Sequence, residues 1–366
     1  MARACDILIF GSGSFAQRIA CDLAIAAEGP VRLAMAGRNA PRLAWIATAT
    51  RARAQMFARP LEVATHAVDL ASAGAAQDLI GRLEPRVVVQ AASLQGGAVI
   101  GEAGNAWARL VAEGGLSATA VFQAVFSARV ARATAAASPA SRFVNGCFPD
   151  VVNGMLTAMG LTVVCGIGNI AILAHAFAGG LPPAPRPRRL KMLCHYQNIA
   201  AWRRPPAERD AATYRPPRVW LDGIEVADVF KRFAAVQLTA EPVIDISGAS
   251  GIPLLLAMLA GRDWRGHVPG PLGLPGGYPV ALTDGVLDLD LPDGLAREAA
   301  IAWNARHEAE CGLTVDAHGR AHFTGRLHDA LSAASAELAA PFELRDLEAV
   351  AQAMAGLRQR LMTRRT

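Results

Sequence analysis

The run Gly11-Ser12-Gly13-Ser14-Phe15-Ala16 follows the apolar stretch Asp6 to Phe10 and leads into helix-forming residues from Gln17 to Ala27. A Gly-x-Gly-x-x-Ala turn between a strand and a helix is suited to a diphosphate. Gly11 permits the tight turn, Gly13 lets backbone approach the phosphates, and Ala16 is small enough for close helix packing. The free amides opening the helix at Ser14 and Phe15 then face the anion, with Ser12 inside the turn. Gly37-Arg38-Asn39 lies about twenty residues further on, where a site for an unphosphorylated adenosine ribose carries a carboxylate. Arg38 is a cation instead, able to grip a 2′-phosphate in bidentate fashion, so the expected cofactor is NADP rather than NAD, with Asn39 beside it. Asp69 either accepts a hydrogen bond from the adenine or caps the next helix, and both readings stand. Ala92 and Ser93, just past the fourth strand, complete the expected cofactor contacts.

Such a cofactor moves hydride, so the protein must supply a group that exchanges a proton with the substrate's heteroatom. His195, in the segment LKMLCHYQN, is the first candidate because histidine titrates near neutrality, and Tyr196 is the reserve. Asn145 ends a strand on the side where open sheets take ligands, which makes it a candidate contact for the nicotinamide ribose or the substrate. A core histidine and a turn-forming asparagine are the alternatives. Cys147 opens a competing route, since NGCFP resembles the nucleophile segment of N-acetyl-glutamyl-phosphate reductases. A thiol at a helix start gains thiolate character and would form a thiohemiacetal or thioester. A third reading is a protein that senses NADPH without turning it over.

These groups need a scaffold. Apolar runs of strand length alternate with helical stretches, as in a parallel sheet with helices on both faces. Strands are expected at 6–10, 31–36, 63–69, 87–91, 142–145 and 161–165, and helices at 17–27 and 118–137. The fold class is therefore α/β: a Rossmann-type doubly wound parallel six-stranded sheet within residues 1–168, followed by a mixed α+β substrate domain over 169–312 and a C-terminal hairpin and helix extension over 313–366. The proline-rich LPPAPRPRRLK reads as a loop into the second unit, GHVPGPLGLPGGYP as turns, 286–291 as a strand, 294–310 as a helix and LTVDAHGRAHFTG as a hairpin.

Composition narrows the function classes. With 52% hydrophobic and 18% charged residues the chain is globular rather than disordered. The net charge of +5 is a mild excess, and its densest basic stretch lacks interleaved aromatics, so no nucleic acid is expected as partner. No charged residue lies between Val151 and Pro185, but Asn153, Asn169, His175 and repeated glycines argue for a buried strand between helices rather than a membrane span. The six cysteines show no CxxC spacing, so neither a structural metal nor disulfides are expected, and the location expected is cytoplasmic.

The order of landmarks resembles the lactate/malate dehydrogenase-like superfamily over roughly residues 4–312. The segment 93–116, with Glu102 and Arg109, is similar to that family's substrate loop, VNGCFPDVVN to its Asn-Pro turn, GIGN at 166–169 to the turn ending its sixth strand, and LKMLCHYQN to its histidine segment. The resemblance implies hydride transfer on a small-molecule substrate, His195 as proton carrier, and a homodimer. It also breaks down at one place. The family places an aspartate and an arginine just after the GIGN-like turn, whereas this chain reads IAILAHAF there. Oxidation of a 2-hydroxy acid is therefore not carried over, and the substrate expected is a carbonyl or imine, with Arg203 or Arg204 as alternative anion contacts.

Overall fold

A computed structural model describes residues 5–364 apart from 97–98, 100–103, 187, 240 and 242–243. Its centre is a sheet of β1 (Ile7–Phe10), β2 (Val31–Gly37), β3 (Leu61–Ala67), β4 (Val87–Gln90), β5 (Arg142–Asn145) and β6 (Cys165–Gly166). The strands run in the order β3-β2-β1-β4-β5-β6, and all of their pairings are parallel. Alternate side chains serve opposite layers, as the strand period requires. Ile7 and Ile9 join the core containing Ile19, Leu23 and Ile46, while Leu8 and Phe10 join the core containing Leu79, Val121 and Phe126. This two-sided burial is why these segments read as unbroken apolar runs. The order reverses between β1 and β4, the point beyond whose carboxyl ends open sheets of this kind take ligands.

The helices of this half are α1 (Ser14–Ala26), α2 (Ala40–Met56), α3 (Ala75–Leu83), α4 (Ala106–Gly114), α5 (Ala120–Ala137), α6 (Val151–Ala158) and α7 (Ile170–Gly179). Capping chemistry sets several starts. Asn39 accepts from the Arg42 amide at 2.9 Å and Asn105 from that of Ala108 at 2.8 Å. A 3-10 turn at Leu116–Thr119 replaces the first turn expected of α5.

Several boundaries differ from the sequence reading. β3 is shifted two residues toward the N-terminus, which leaves Asp69 beyond the strand. β6 is only two residues long rather than 161–165, because just Val144↔Cys165 and Asn145↔Gly166 pair at this sheet edge. The turn-rich GHVPGPLGLPGGYP belongs at both ends to strands, β10 (Trp264–Pro269) and β11 (Gly277–Thr283), where Pro279 lacks an amide but accepts from the Asp290 amide at 2.9 Å.

Between them and the first sheet lie β7 (Leu190–Leu193), β8 (Arg218–Leu221), β9 (Ile224–Glu225), α8 (Ile244–Ser250) and α9 (Ile252–Ala260). β12 (Val286–Leu289) completes the β10-β11-β12 sheet and precedes α10 (Arg297–Glu310), which starts three residues later than expected. The C-terminal stretch forms β13 (Cys311–Val315), β14 (Arg320–Thr324), α11 (Gly325–Ala334), β15 (Phe342–Glu343) and α12 (Leu347–Met362). Its Leu313, Phe323, Leu327, Leu331 and Leu357 share one core with Trp107, Phe122 and Phe126 of α4 and α5. The fit is close at Gly114, where an added Cβ would come within 2.9 Å of Leu327 Cδ1.

Leu327→Ala should therefore destabilise the whole molecule by roughly 2–5 kcal/mol, the range for a buried leucine cavity. A urea titration followed at 222 nm will show this as a lower midpoint with an unchanged slope. An unchanged midpoint would mean that the C-terminal stretch does not share the core of α4 and α5.

Candidate active site

The glycine turn lies where the strand order reverses. Gly11 has a φ of 136°, and a Cβ there would meet the Ala91 carbonyl group at 3.0 Å, so only glycine lets β1 and β4 end this close together. Gly13 and Ser14 are exposed, and nothing lies within 4 Å of the place a Gly13 Cβ would occupy. Ala16 is fully buried against the sheet, and the first turn of α1 carries no acidic residue. Exposed helix-start amides above an open glycine form a cradle that fits a diphosphate. Phe15 turns inward, where a Cβ on Gly146 would come within 2.8 Å of its ring.

Beside the cradle, Arg38 Nε stands 3.9 Å from Asp69 Oδ1, with both side chains well exposed. Such a pair is weak and readily exchanged for a phosphate. Asp69 also accepts from the Ala71 amide at 2.9 Å, a local turn rather than a helix cap, since α3 starts after Gly74 with no side-chain cap, and Asn39 is occupied in capping α2. Arg42, not singled out from sequence, reaches back from α2 to the Ser12 carbonyl at 3.4 Å and to Gln17. Its signal was available: it lies one helical turn beyond Arg38. Ala92 and Ser93 are half-buried at the β4 exit, where the Ala92 carbonyl accepts from Gln90 at 2.6 Å and Ser93 Oγ donates to the Gln95 carbonyl at 2.6 Å.

His195 is 0% exposed, and both ring nitrogens are engaged. Nε2 is 2.8 Å from Glu308 Oε1, and Nδ1 accepts from the Gln197 amide at 3.3 Å. Glu308 reaches His195 from α10, more than a hundred residues away in the chain. Glu308 Oε2 accepts in turn from the Leu313 amide at 3.2 Å and from Ser117 Oγ at 3.4 Å, and Ser117 shares a 3.0 Å hydrogen bond with the Tyr196 hydroxyl. His307 stacks on His195 with ring centres 4.9 Å apart, and burial and then the His195 charge push it down to about 4.

Asp150, missed by sequence reasoning, is the other acid of the cluster. It is 4% exposed, its Oδ1 accepts from Asn169, and its Oδ2 has no partner. Burial raises it to about 6, against the lowering influence of His195. Asn169 holds it from a strained backbone with φ 43°. Asn145 is 1% exposed and bonded at both ends of its amide, donating to Asn153 Oδ1 at 2.8 Å and accepting from Ser127 Oγ at 3.1 Å, so here it braces β5 against α5 and α6. The Cys147 thiol points at the Ala92 carbonyl, 3.3 Å away, and burial pushes it up to about 12, opposite to what a nucleophile needs. Arg109 pairs with Glu113 on the exposed face of α4, Arg203 bonds to the Glu241 carbonyl, and Arg204 is exposed. Glu102 lies outside the described residues. Among the described residues no group of His, Cys, Asp and Glu is arranged to hold a metal, and no helix is long and apolar enough to cross a membrane.

Asp150 ties pH to stability. Its folded-state value of about 6 lies above the unfolded value of 3.8, so the folded protein retains a proton that the unfolded chain has lost. Its contribution therefore falls as pH rises through that window, by roughly 3 kcal/mol in all. Urea midpoints measured between pH 4 and 7 should show wild type losing ground to Asp150→Asn; parallel profiles would refute the assignment.

No protein-family model matches the chain, and no curated protein matches it in sequence. Solved structures do match. Malate dehydrogenase from Salinibacter ruber aligns over 91% of this chain and 99% of its own, at 13% identity and a TM-score of 0.52. Malate dehydrogenase from Picrophilus torridus aligns over 84% and 95%, at 13% identity and a TM-score of 0.54. Lactate dehydrogenase from Cryptosporidium parvum, solved with lactic acid and nicotinamide adenine dinucleotide, aligns over 84% and 96%, at 13% identity and a TM-score of 0.51. The six parallel strands, their order and the small antiparallel sheets that follow are common ground at these identities, and the chain has the lactate/malate dehydrogenase-like fold.

Proposed function

We propose that this protein is an NADP-dependent oxidoreductase that passes a hydride between the nicotinamide and a carbonyl or imine carbon of a small substrate. The observation that carries the reading is the open cradle at Gly13, set at the strand-order reversal with two guanidiniums, Arg38 and Arg42, beside it. The Gly11–Ala16 turn and the first amides of α1 would hold the diphosphate, and Arg38 would leave Asp69 for the 2′-phosphate. When bound, the cofactor supplies or accepts the hydride. The solved relative with nicotinamide adenine dinucleotide supports a site of this kind.

The proton is held in the His195–Glu308 pair, with Tyr196 in reserve. Because both His195 nitrogens are engaged, the oxygen free to pass a proton onward is Asp150 Oδ2. A carboxyl group with a value near 6 suits general acid work at neutral pH. Asn145 and Asn169 orient this end of the sheet, with Asn145, bonded at both ends of its amide, acting as a brace behind the site. The thiol route through Cys147 is disfavoured by its burial. The complete enclosure of His195 favours, as a second reading, a protein that binds NADPH without turning it over.

Titration with NADPH and NADH separates these readings. NADPH should bind at least about tenfold more tightly, a preference worth roughly 1.4 kcal/mol, and Arg38→Glu should reverse it. Gly13→Val should fold with an unaltered melting temperature yet lose dinucleotide binding, since its side chain fills open space. Equal affinity for the two dinucleotides would defeat the NADP assignment, and undiminished binding by Gly13→Val would defeat the cradle. NADPH binding with no oxidation by any carbonyl or imine substrate would leave the sensor.

A further inference from the structure

Two buried hydrogen-bond donors without an acceptor, and a guanidinium without a counter-charge, gather around Phe122 near the start of α5. Arg358 of α12 lies over the Phe122 ring, 4.6 Å from its centre, and donates to Gln95 Oε1 at 3.0 Å. Among the described residues it has no carboxylate partner, and burial lowers its pKa. Gln95 is 1% exposed, and its amide nitrogen has no partner. Trp107 is 0% exposed, packs edge-on against Phe122 with ring centres 6.1 Å apart, and its indole N–H has no partner either.

Leaving such a donor unsatisfied is costly, and a half-buried cation lacking a counter-charge costs more. A fold that retains all three around one ring is short of acceptor oxygens there, and a bound oxyanion brings several. The place is continuous with the reacting end of the sheet. Gln95 follows β4 directly, its carbonyl accepts from Gln123 at 3.1 Å, the Gln123 carbonyl accepts from Ser127 Oγ at 2.9 Å, and Ser127 bonds Asn145.

We propose that Arg358, Gln95 and Trp107 form an oxyanion subsite that holds the carboxylate or phosphate of the substrate, so that the substrate is an anionic carbonyl or imine compound. It rests on the hydride-transfer reading above only for the statement that the anion belongs to a substrate.

The test uses the full chain saturated with NADPH, which keeps anions out of the glycine cradle. Oxalate, inorganic phosphate and neutral acetamide are titrated by calorimetry. Oxalate or phosphate should bind in the millimolar range, acetamide should not, and whichever anion binds names the group. Arg358→Gln should weaken that binding at least about tenfold and Arg358→Lys by less, since the ammonium keeps the charge but loses the fork. The NADPH affinity of both variants should stay within about twofold of wild type, and if the glutamine variant does not fold, the lysine variant decides. Absence of anion binding by wild type, or binding unaffected by either substitution, overturns the subsite. Failure of wild type to bind NADPH overturns the hydride-transfer reading instead, and the anion titrations of the unliganded chain, compared between wild type and Arg358→Gln, still decide the subsite.

Discussion

The hydrogen bond between His195 and Glu308 is the interaction around which the two halves of this protein close. A carboxylate withdrawn from water is costly unless its oxygens are satisfied, and removing one member of a buried pair is worse than never having had it. Glu308 meets that demand with the His195 ring, the Ser117 hydroxyl and the Leu313 amide. Ser117 belongs to the turn before α5, His195 follows β7, and Leu313 opens the C-terminal hairpin. One carboxyl group thus registers the helical layer of the parallel sheet, the middle of the chain and the C-terminal stretch against each other.

That registration decides what the carboxyl end of the sheet can offer. The sheet fixes the glycine turn by local means, a strand ending against Ala91 and a helix beginning at Ser14. Everything that would meet a substrate is brought from elsewhere: Asp150 from the start of α6, Asn169 from the turn before α7 and Glu308 from α10. A cleft also lies at the opposite end of the strands, lined by Asp6, Val31, Arg86 and Leu256. It faces the amino ends of β1, β2 and β4, away from the glycine turn.

How far this was legible in the sequence follows from the range of the forces involved. The glycine turn, its flanking strand and the parallel alternation are short-range patterns, and the sheet forms where they place it. Boundaries slipped where a neighbour strand decides them, as at β6, whose length is set by how far β5 runs beside it. Prolines concealed β10 and β11 because a missing amide is harmless where the strand's carbonyls alone are used. His195 was visible as a residue, but its partner was not, since no spacing rule links position 195 to 308. Asp150 sat in a quoted motif and was passed over, because only burial turns an ordinary helix-start aspartate into a perturbed acid.

The shared core of α4, α5 and the C-terminal stretch has a consequence for biogenesis. Phe122, Phe126 and Trp107 leave the ribosome well before Leu327, Leu331 and Leu357, which share their core. Until those leucines emerge, the growing polypeptide carries an uncovered greasy ridge, a natural site for chaperone capture. A nascent chain stalled or cut short before Gly325 would keep that ridge bare and be cleared as defective.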